Sequence, residues 1–246
     1  MDLRDVPGPG APNVRDEAKG ETVTDYKALF DACWDHQYAK QRERSPSYQL
    51  SDYAVTGKAG AAYGGKRGVE WWGDNGPEMV ARWDTWKREN QWTLWETPTG
   101  LPGIELEFLV TLPGDIVVKM FLDRVFVLPS GQLCVVDIKT GSRMPTYPEQ
   151  LGLYACGLEL TFGPEARPDW GYYWDANKGT HTQPLALGQF TVDVMGKLYQ
   201  QAIDGHNAGV FLPNPQNNCG NWCGVADYCY AVGGSKAAGI DPLARV

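Results

Sequence analysis

Two apolar runs near the middle of the chain have the composition of β-strands. Residues 121–128 and 132–140 are rich in β-branched and aromatic side chains, and Pro129, Ser130 and Gly131 stand between them. This pattern predicts two antiparallel strands joined by a tight turn. A similar run precedes them, so the sequence predicts an antiparallel meander with strands at 104–110, 116–128 and 132–140.

Helical spacing of apolar residues flanks this meander on both sides. Upstream, the spacing predicts a helix over 26–44, a loop region over 45–76 with a short helix at 69–72, and a helix that starts near Pro77. Downstream, it predicts a helix over 148–160, strands over 170–175 and 180–187, and a helix over 192–206. This order predicts an α/β (α+β) fold in which helices flank a mixed central sheet.

Length and composition fit one folded domain after a short arm. The chain has 246 residues, of which 43% are hydrophobic and 21% charged, and no apolar run approaches the length of a membrane span. Prolines, glycines and charges fill the beginning, which predicts a flexible arm over 1–21, a single domain over 22–246 and a cytoplasmic location. The net charge of −8 argues against general attraction to nucleic acid, but it leaves room for a local basic groove or for bound metal ions.

The end of the second central strand carries candidate chemistry. Side chains alternate along a strand, so Asp137 and Lys139 lie on one face. The hairpin brings Asp123, on the preceding arm, toward Asp137. Two carboxylates can hold a divalent metal, and a neighbouring lysine can orient or deprotonate a water. The alternative is an ordinary Asp/Lys pair at a solvated hairpin end.

These residues resemble the active-site signature of the PD-(D/E)XK nucleases, in the RecB-like branch that includes CRISPR-associated exonucleases. The resemblance comprises Asp123, the triplet Asp137-Ile138-Lys139, and Gln150 and Tyr154, which lie four apart on the following helix. It implies a restriction-endonuclease-like core in which Asp123, Asp137 and the Ile138 carbonyl oxygen bind Mg²⁺ or Mn²⁺. It further implies that Lys139 steadies the attacking water and that Gln150 and Tyr154 position the lysine or the scissile strand.

One metal ligand common in this family has no obvious counterpart. Many relatives carry a histidine in a helix upstream of the first acidic strand, but the histidines of this chain are His36, His181 and His206. Glu70 is a candidate replacement, and the position is otherwise empty. Two strand carboxylates, Glu105 and Glu107, are further candidates, although such groups are more often simply solvated.

Three of the six cysteines form a close group, Cys219, Cys223 and Cys229. Neighbouring thiolates repel one another unless a cation holds them, so the group predicts a metal centre, with Cys33 as candidate fourth ligand. RecB-like exonucleases with an iron-sulfur cluster split their ligands in this way. The resemblance thus implies a 4Fe-4S cluster that joins Cys33 to the segment 214–230, with zinc as the alternative because the spacing from Cys219 to Cys223 is one residue longer than usual.

A glycine-rich stretch, 60–67, nearly matches the phosphate-binding loop of nucleotide hydrolases. Its last position is Arg67, which lacks the hydroxyl that binds magnesium, so Lys66 and Arg67 are better interpreted as a basic loop near a phosphate backbone. Cys134 and Cys156 fall among apolar residues and are predicted to be buried.

Together the sequence predicts a metal-dependent DNA exonuclease. The resemblance implies a substrate with free, often single-stranded ends, a role in repair, recombination or CRISPR adaptation, and a possible helicase partner. Two alternatives remain open: a non-catalytic iron-sulfur module that binds DNA within a larger complex, and a site-specific endonuclease that uses the same residues. No contact with a membrane is predicted.

Overall fold

A computed structural model of the chain describes residues 13–16, 21–53, 57–141, 144–210, 223, 226–229, 231 and 233–236. The chain divides into two compact units, Met1–Gly196 and Lys197–Val246, and the single domain predicted for 22–246 stays a prediction. Within the described residues no helix is both long and apolar enough to cross a membrane.

The described residues form helices and strands in the predicted order. The α-helices are α1 (Tyr26–Arg44), α2 (Val69–Asn90), α3 (Glu149–Phe162) and α4 (Val192–Asn207). The strands are β1 (Asn13–Asp16), β2 (Glu21–Thr24), β3 (Thr93–Leu94), β4 (Ile104–Leu112), β5 (Ile116–Val127), β6 (Leu133–Lys139), β7 (Trp170–Asp175), β8 (Thr180–His181) and β9 (Leu185–Ala186). The antiparallel pair β1 and β2 lies largely in the stretch predicted as a flexible arm.

Seven of these strands form a mixed sheet. Its order is β3-β5-β6-β7-β8, with β4 paired to β5 and β9 paired to β7. β4, β5 and β6 are antiparallel neighbours, as the meander predicts, whereas β6 and β7 are parallel. A parallel pair needs a long crossover, and α3 lies in this one. The predicted mixed sheet flanked by helices is therefore confirmed.

Helices cover both faces of the centre of this sheet. On one face, the α2 side chains Trp71, Met79 and Trp86 pack in one buried cluster with strand residues that share a face, Phe126, Cys134, Val136, Tyr172 and Trp174. On the opposite face α3 lies so close to β7 that a Cβ on Gly171 would be 2.8 Å from Leu151 Cδ1. α3 thus lies along the face of the sheet next to β6, whose last residues extend beyond its pairing with β5.

Proline residues explain two differences from the predicted elements. The prediction starts a helix near Pro77, but α2 begins at Val69 and continues through this proline. Trp71, Met79 and Trp86 are spaced to share one face, and their burial outweighs the lost backbone hydrogen bond. The predicted strand 180–187 is instead two short strands, β8 and β9, because Pro184 has no N–H to donate to a ladder.

Candidate active site

The two central aspartates meet where β5 and β6 part. The pairing of these strands ends at Arg124 and Val136, and one further step in the same register places Asp123 opposite Asp137. There the Ile138 N–H donates to Asp123 Oδ2 at 2.7 Å. The Asp123 carboxylate thus accepts a hydrogen bond where the pairing of β5 and β6 ends. Asp123 and Asp137 therefore lie next to each other.

β5 changes its pattern of burial at Asp123. Met120 lies against α3, where its Sδ would be 2.7 Å from a Cβ on Gly157, whereas Phe126 packs on the opposite face with α2. Simple alternation would place these two β5 residues on one face, so the phase changes between them. On β4, Glu105 adopts φ +47°. Counted from Phe126, alternation places Asp123 on the α3 side of the sheet, so the change of phase lies between Met120 and Asp123.

The two glutamates of β4 form ion pairs, and one of them, Glu105, lies near Asp123, whose charge adds to the effect of burial in raising the Glu105 pKa. Glu105 pairs with Arg124 at 3.1 Å, and both side chains are largely buried. Glu107 pairs with Lys119 at 2.6 Å on the exposed face of the β4–β5 hairpin. Each of these carboxylates is paired with a cation, and among the described residues neither belongs to a group of three His, Cys, Asp or Glu side chains that could hold a metal ion.

Asp137 is a buried acid with an incompletely satisfied carboxylate. Its residue is 2% exposed, and burial raises its pKa to about 6, although Lys139 opposes this change and Asp123 adds to it. Lys139 Nζ lies 2.6 Å from Asp137 Oδ2 and is the ion-pair partner of this oxygen, which accepts no further hydrogen bond among the described residues. This oxygen is available to a cation.

Lys139 is held by a short chain of polar side chains from α3. Its Nζ donates to Gln150 Oε1 at 3.1 Å, and Gln150 Nε2 donates to Tyr154 Oη at 2.7 Å. The ammonium also lies 5.6 Å from the centre of the Tyr173 ring. Helical spacing puts Gln150 and Tyr154 on one face, and that face looks toward the end of β6. The structure therefore brings the five predicted catalytic side chains together.

These residues fit a divalent cation. Asp123 and Asp137 supply carboxylate oxygens, Asp137 Oδ2 accepts no hydrogen bond among the described residues, and the Ile138 carbonyl follows Asp137 directly in the chain. Mg²⁺ and Mn²⁺ prefer oxygen ligands, and Mg²⁺ is commonly held by one or two carboxylates with the remaining positions left to water and phosphate. Among the described residues no three His, Cys, Asp or Glu side chains form a metal-binding group, so two protein carboxylates are the anionic set.

Glu70 is not grouped with these two carboxylates in the part of the chain that the structure describes. It is exposed in the first turn of α2, where it lines a cavity together with Tyr53, Tyr63 and Trp71. It does not form a three-residue metal group with Asp123 and Asp137.

The four cysteines predicted to bind a cluster are described only in part. Cys33 is half-buried on α1 in the first unit, Cys223 and Cys229 belong to the second unit, and Cys219 lies outside the described residues. The cluster therefore stays a prediction. The two remaining cysteines, Cys134 and Cys156, are fully buried, which confirms their predicted place in the core.

Two residues, Arg67 and Asn177, hold the chain just after Lys139 in place. The sequence analysis did not identify either as a site residue. Arg67 donates to the Thr140 carbonyl oxygen at 2.7 Å and to Asn177 Oδ1 at 2.9 Å, and Asn177 Nδ2 donates to the Gly141 carbonyl oxygen at 2.9 Å. Arg67 thus stabilises the segment that follows β6. Its position in a basic loop was visible in the sequence, but no local signal indicates partners 73 and 110 residues away.

Comparison with known proteins gives one family match and two phage relatives. The family model of the PD-(D/E)XK nuclease superfamily matches residues 14–230. Gene 69 protein of Mycobacterium phage D29 is 29% identical over 211 residues, which cover 85% of this chain and 75% of the phage protein. Gene 69 protein of Mycobacterium phage L5 is 30% identical over 189 residues, or 68% of this chain and 64% of that protein. The family match spans both aspartates, the lysine and all four predicted cluster cysteines.

Proposed function

Because the chain belongs to the PD-(D/E)XK nuclease superfamily, we propose that it is a metal-dependent exonuclease that hydrolyses DNA from free ends. The observation that carries the proposal is the group formed by Asp123, Asp137 and Lys139 where β5 and β6 part. Membership of the superfamily implies nuclease chemistry with a divalent metal. Action on ends and a preference for single strands are the finer parts of the proposal.

Each residue of the group has a distinct task. Asp123, Asp137 and the Ile138 carbonyl oxygen would hold Mg²⁺ or Mn²⁺. The bound cation supplies Lewis acidity and positive charge beside the phosphodiester. Lys139 donates a hydrogen bond to the attacking water and stabilises negative charge that develops on the phosphate oxygens.

Gln150 and Tyr154 are positioning residues in this proposal. Gln150 accepts from the Lys139 ammonium, which fixes the direction of its remaining N–H bonds. Tyr154 accepts from Gln150, and burial raises the pKa of this phenol, so it stays protonated near neutral pH. A rigid chain of this kind keeps a flexible lysine in a reactive position.

Degradation of DNA tests exonuclease action directly. We expect the protein with Mn²⁺ or Mg²⁺ to degrade end-labelled linear single-stranded DNA and to leave circular single-stranded DNA intact. The order in which labelled products appear gives the polarity. Cleavage of circular DNA would instead establish the endonuclease alternative, and equal inactivity of wild type and Lys139→Ala on all DNA would favour a non-catalytic binding module.

We also propose that Cys33, Cys219, Cys223 and Cys229 bind a 4Fe-4S cluster, with zinc as the alternative. The proximity of three thiols in the sequence supports a metal centre, and the split arrangement supports iron and sulfide. The cluster would be structural, because thiolate sites of this kind contribute folding energy rather than hydrolytic chemistry. A cytoplasmic location and a helicase or recombination or CRISPR partner are further parts of the proposal.

Metal analysis of Cys33→Ser tests the cluster. Anaerobically purified wild type is expected to be brown and to contain iron and sulfide in equal amounts. Cys33→Ser should lose most of this iron and melt at a lower temperature, because the cluster loses one of its four ligands. The buried Cys134 provides the control, since Cys134→Ala should keep the iron. A colourless wild type with zinc and no iron would contradict the iron-sulfur assignment.

A further inference from the structure

An aromatic cavity lies beside the start of α2, outside the catalytic group. It has a volume of about 440 Å³, within the range of roughly 300–1,000 Å³ that is usual for small-molecule sites. The aromatic residues Tyr53, Tyr63 and Trp71 line it, together with Leu50, Ser51, Gly68, Val69 and Glu70. None of these residues has a task in the proposed cleavage chemistry.

The aromatic rings of the cavity are held in place by neighbours. The Tyr53 ring lies 5.5 Å from the Trp34 ring, and the Tyr63 hydroxyl donates to Asp74 at 2.9 Å. The Arg67 guanidinium lies 4.1 Å from the centre of the Trp71 ring. Trp71 is buried, whereas the Tyr53 and Tyr63 rings are only partly covered and offer π faces on which an unpaired base can stack at little entropic cost.

Polar groups in the cavity match the edge of a nucleobase. Gly68 is the N-cap of α2 and has no side chain to cap it, and the first N–H groups of a helix have no carbonyl partner within the helix. These groups can donate to ring nitrogens and carbonyl oxygens of a base. The Glu70 carboxylate is an acceptor and can receive the exocyclic amino group of cytosine or adenine. Stacking and edge contacts are thus available in one cavity.

One side chain joins this cavity to the catalytic strand. Arg67 packs on Trp71 and donates to the carbonyl oxygen of Thr140, the residue that follows Lys139. Exposed lysines, Lys58 and Lys66, lie in the same loop and can face the phosphates of a bound strand. A strand with its phosphodiester at Lys139 therefore has the cavity and its cationic loop nearby.

We propose that this aromatic cavity binds one unpaired nucleobase of the DNA strand that is cleaved, close to the scissile phosphate. The inference rests on the proposed nuclease function and specifies its substrate. A base inside a duplex cannot enter the cavity without leaving the stack, which costs a few kcal/mol. The cavity therefore selects single-stranded DNA or a frayed end, and Glu70 favours cytosine or adenine at that position.

Abasic substitution along a single-stranded oligonucleotide tests the cavity. A set of labelled oligonucleotides carries one abasic site at successive positions, and we measure both the Kd in chelator by fluorescence anisotropy and the single-turnover cleavage rate with Mn²⁺. For wild type we expect one position at which the abasic site weakens binding by about 5- to 100-fold, since stacking on an aromatic ring contributes about 1–3 kcal/mol per base.

Variants of Tyr53 test whether the loss of DNA affinity at the abasic site arises in the cavity. Tyr53→Phe keeps the ring and should retain the abasic effect, whereas Tyr53→Leu should bind the intact oligonucleotide more weakly and respond no further to the abasic site. If wild type and Tyr53→Leu show the same abasic profile in both measurements, the cavity does not hold a base. If wild type cleaves no DNA at all, the proposed nuclease function is wrong. This result differs from the one that contradicts base binding in the cavity.

Glu70→Gln separates base recognition from metal binding. If Glu70 accepts from a base, the variant should cleave oligonucleotides with cytosine or thymine at the sensitive position at similar rates, whereas wild type should prefer cytosine. If Glu70 is instead a metal ligand, cleavage should fall equally for every base and should recover partly at higher Mn²⁺. The second result would overturn the place of Glu70 in the cavity.

Discussion

Asp137→Asn should abolish DNA cleavage and, without metal, should make the protein more stable than wild type at pH 8. The first effect follows because Asp137 is one of two carboxylates that fit the cation, and loss of such a ligand is expected to slow cleavage by about 10³-fold or more. The second follows because burial raises the pKa of Asp137, so the charged carboxylate destabilises the fold despite its ion pair with Lys139. Catalytic need and stability thus oppose each other at one residue.

The pKa of Asp137 determines the sign and the pH range of this stability effect. The pKa is about 6 in the fold against an ordinary value of 3.8, so the folded state binds a proton more tightly than the unfolded chain. Above pH 6 the charged Asp137 lowers the free energy of unfolding of wild type by its full amount. This loss of stability disappears as the pH falls toward 4. Two pKa units correspond to about 3 kcal/mol, and removal of the partner of Lys139 reduces the expected gain to about 1–3 kcal/mol.

Thermal melting in chelator at pH 8 and pH 5 provides the measurement. Asp137→Asn should melt higher than wild type at pH 8, and the difference should shrink at pH 5. Asp175 is a matched control, because it is buried on β7, pairs with Lys178 at 3.3 Å and accepts from the Asn177 N–H. Asp175→Asn should gain no stability at either pH. An Asp137→Asn protein that melts below wild type at pH 8 would show that this carboxylate stabilises the metal-free fold.

Local sequence patterns were sufficient to predict that the proposed catalytic residues lie close together. Period two places Asp137 and Lys139 on one face, the tight turn sets the hairpin, and helical spacing aligns Gln150 with Tyr154. Each of these rules acts over a short stretch of chain. The confirmed hairpin and the hydrogen bond from Gln150 to Tyr154 agree with them.

Features that depend on distant packing could not be predicted in this way. α2 continues through Pro77 because three aromatic or apolar side chains on the same face are buried against a sheet formed much later in the chain. Likewise, the contact from Arg67 to Thr140 depends on how the loop before α2 meets the end of β6. The change of burial phase in β5 is also tertiary, since its residues alone predict simple alternation.

Lys139→Ala should reduce the rate of DNA cleavage by about 10²- to 10⁴-fold while changing DNA affinity little. The Lys139 ammonium is near enough to Asp137 and Gln150 to be held between them, at 2.6 Å and 3.1 Å. A positioned cation of this kind contributes mainly to the transition state, where negative charge develops on the phosphate. Single-turnover rates with saturating protein measure the chemical step, and anisotropy in chelator measures affinity.

A graded series along the same chain of contacts distinguishes chemistry from positioning. Gln150→Ala leaves the ammonium in place without its acceptor, so cleavage should fall by only about 10-fold, and Tyr154→Phe, which removes the next acceptor, should have a smaller effect. Because Gln150 contacts the catalytic group through Lys139, Gln150→Ala should not lower the rate further in the Lys139→Ala background, whereas Tyr154 also lies beside Asp137 and its substitution should retain a small effect there. An additive loss in the double variant of Lys139→Ala with Gln150→Ala would mean that Gln150 contacts the substrate directly. A Lys139→Ala protein with near wild-type rates would remove the lysine from the mechanism.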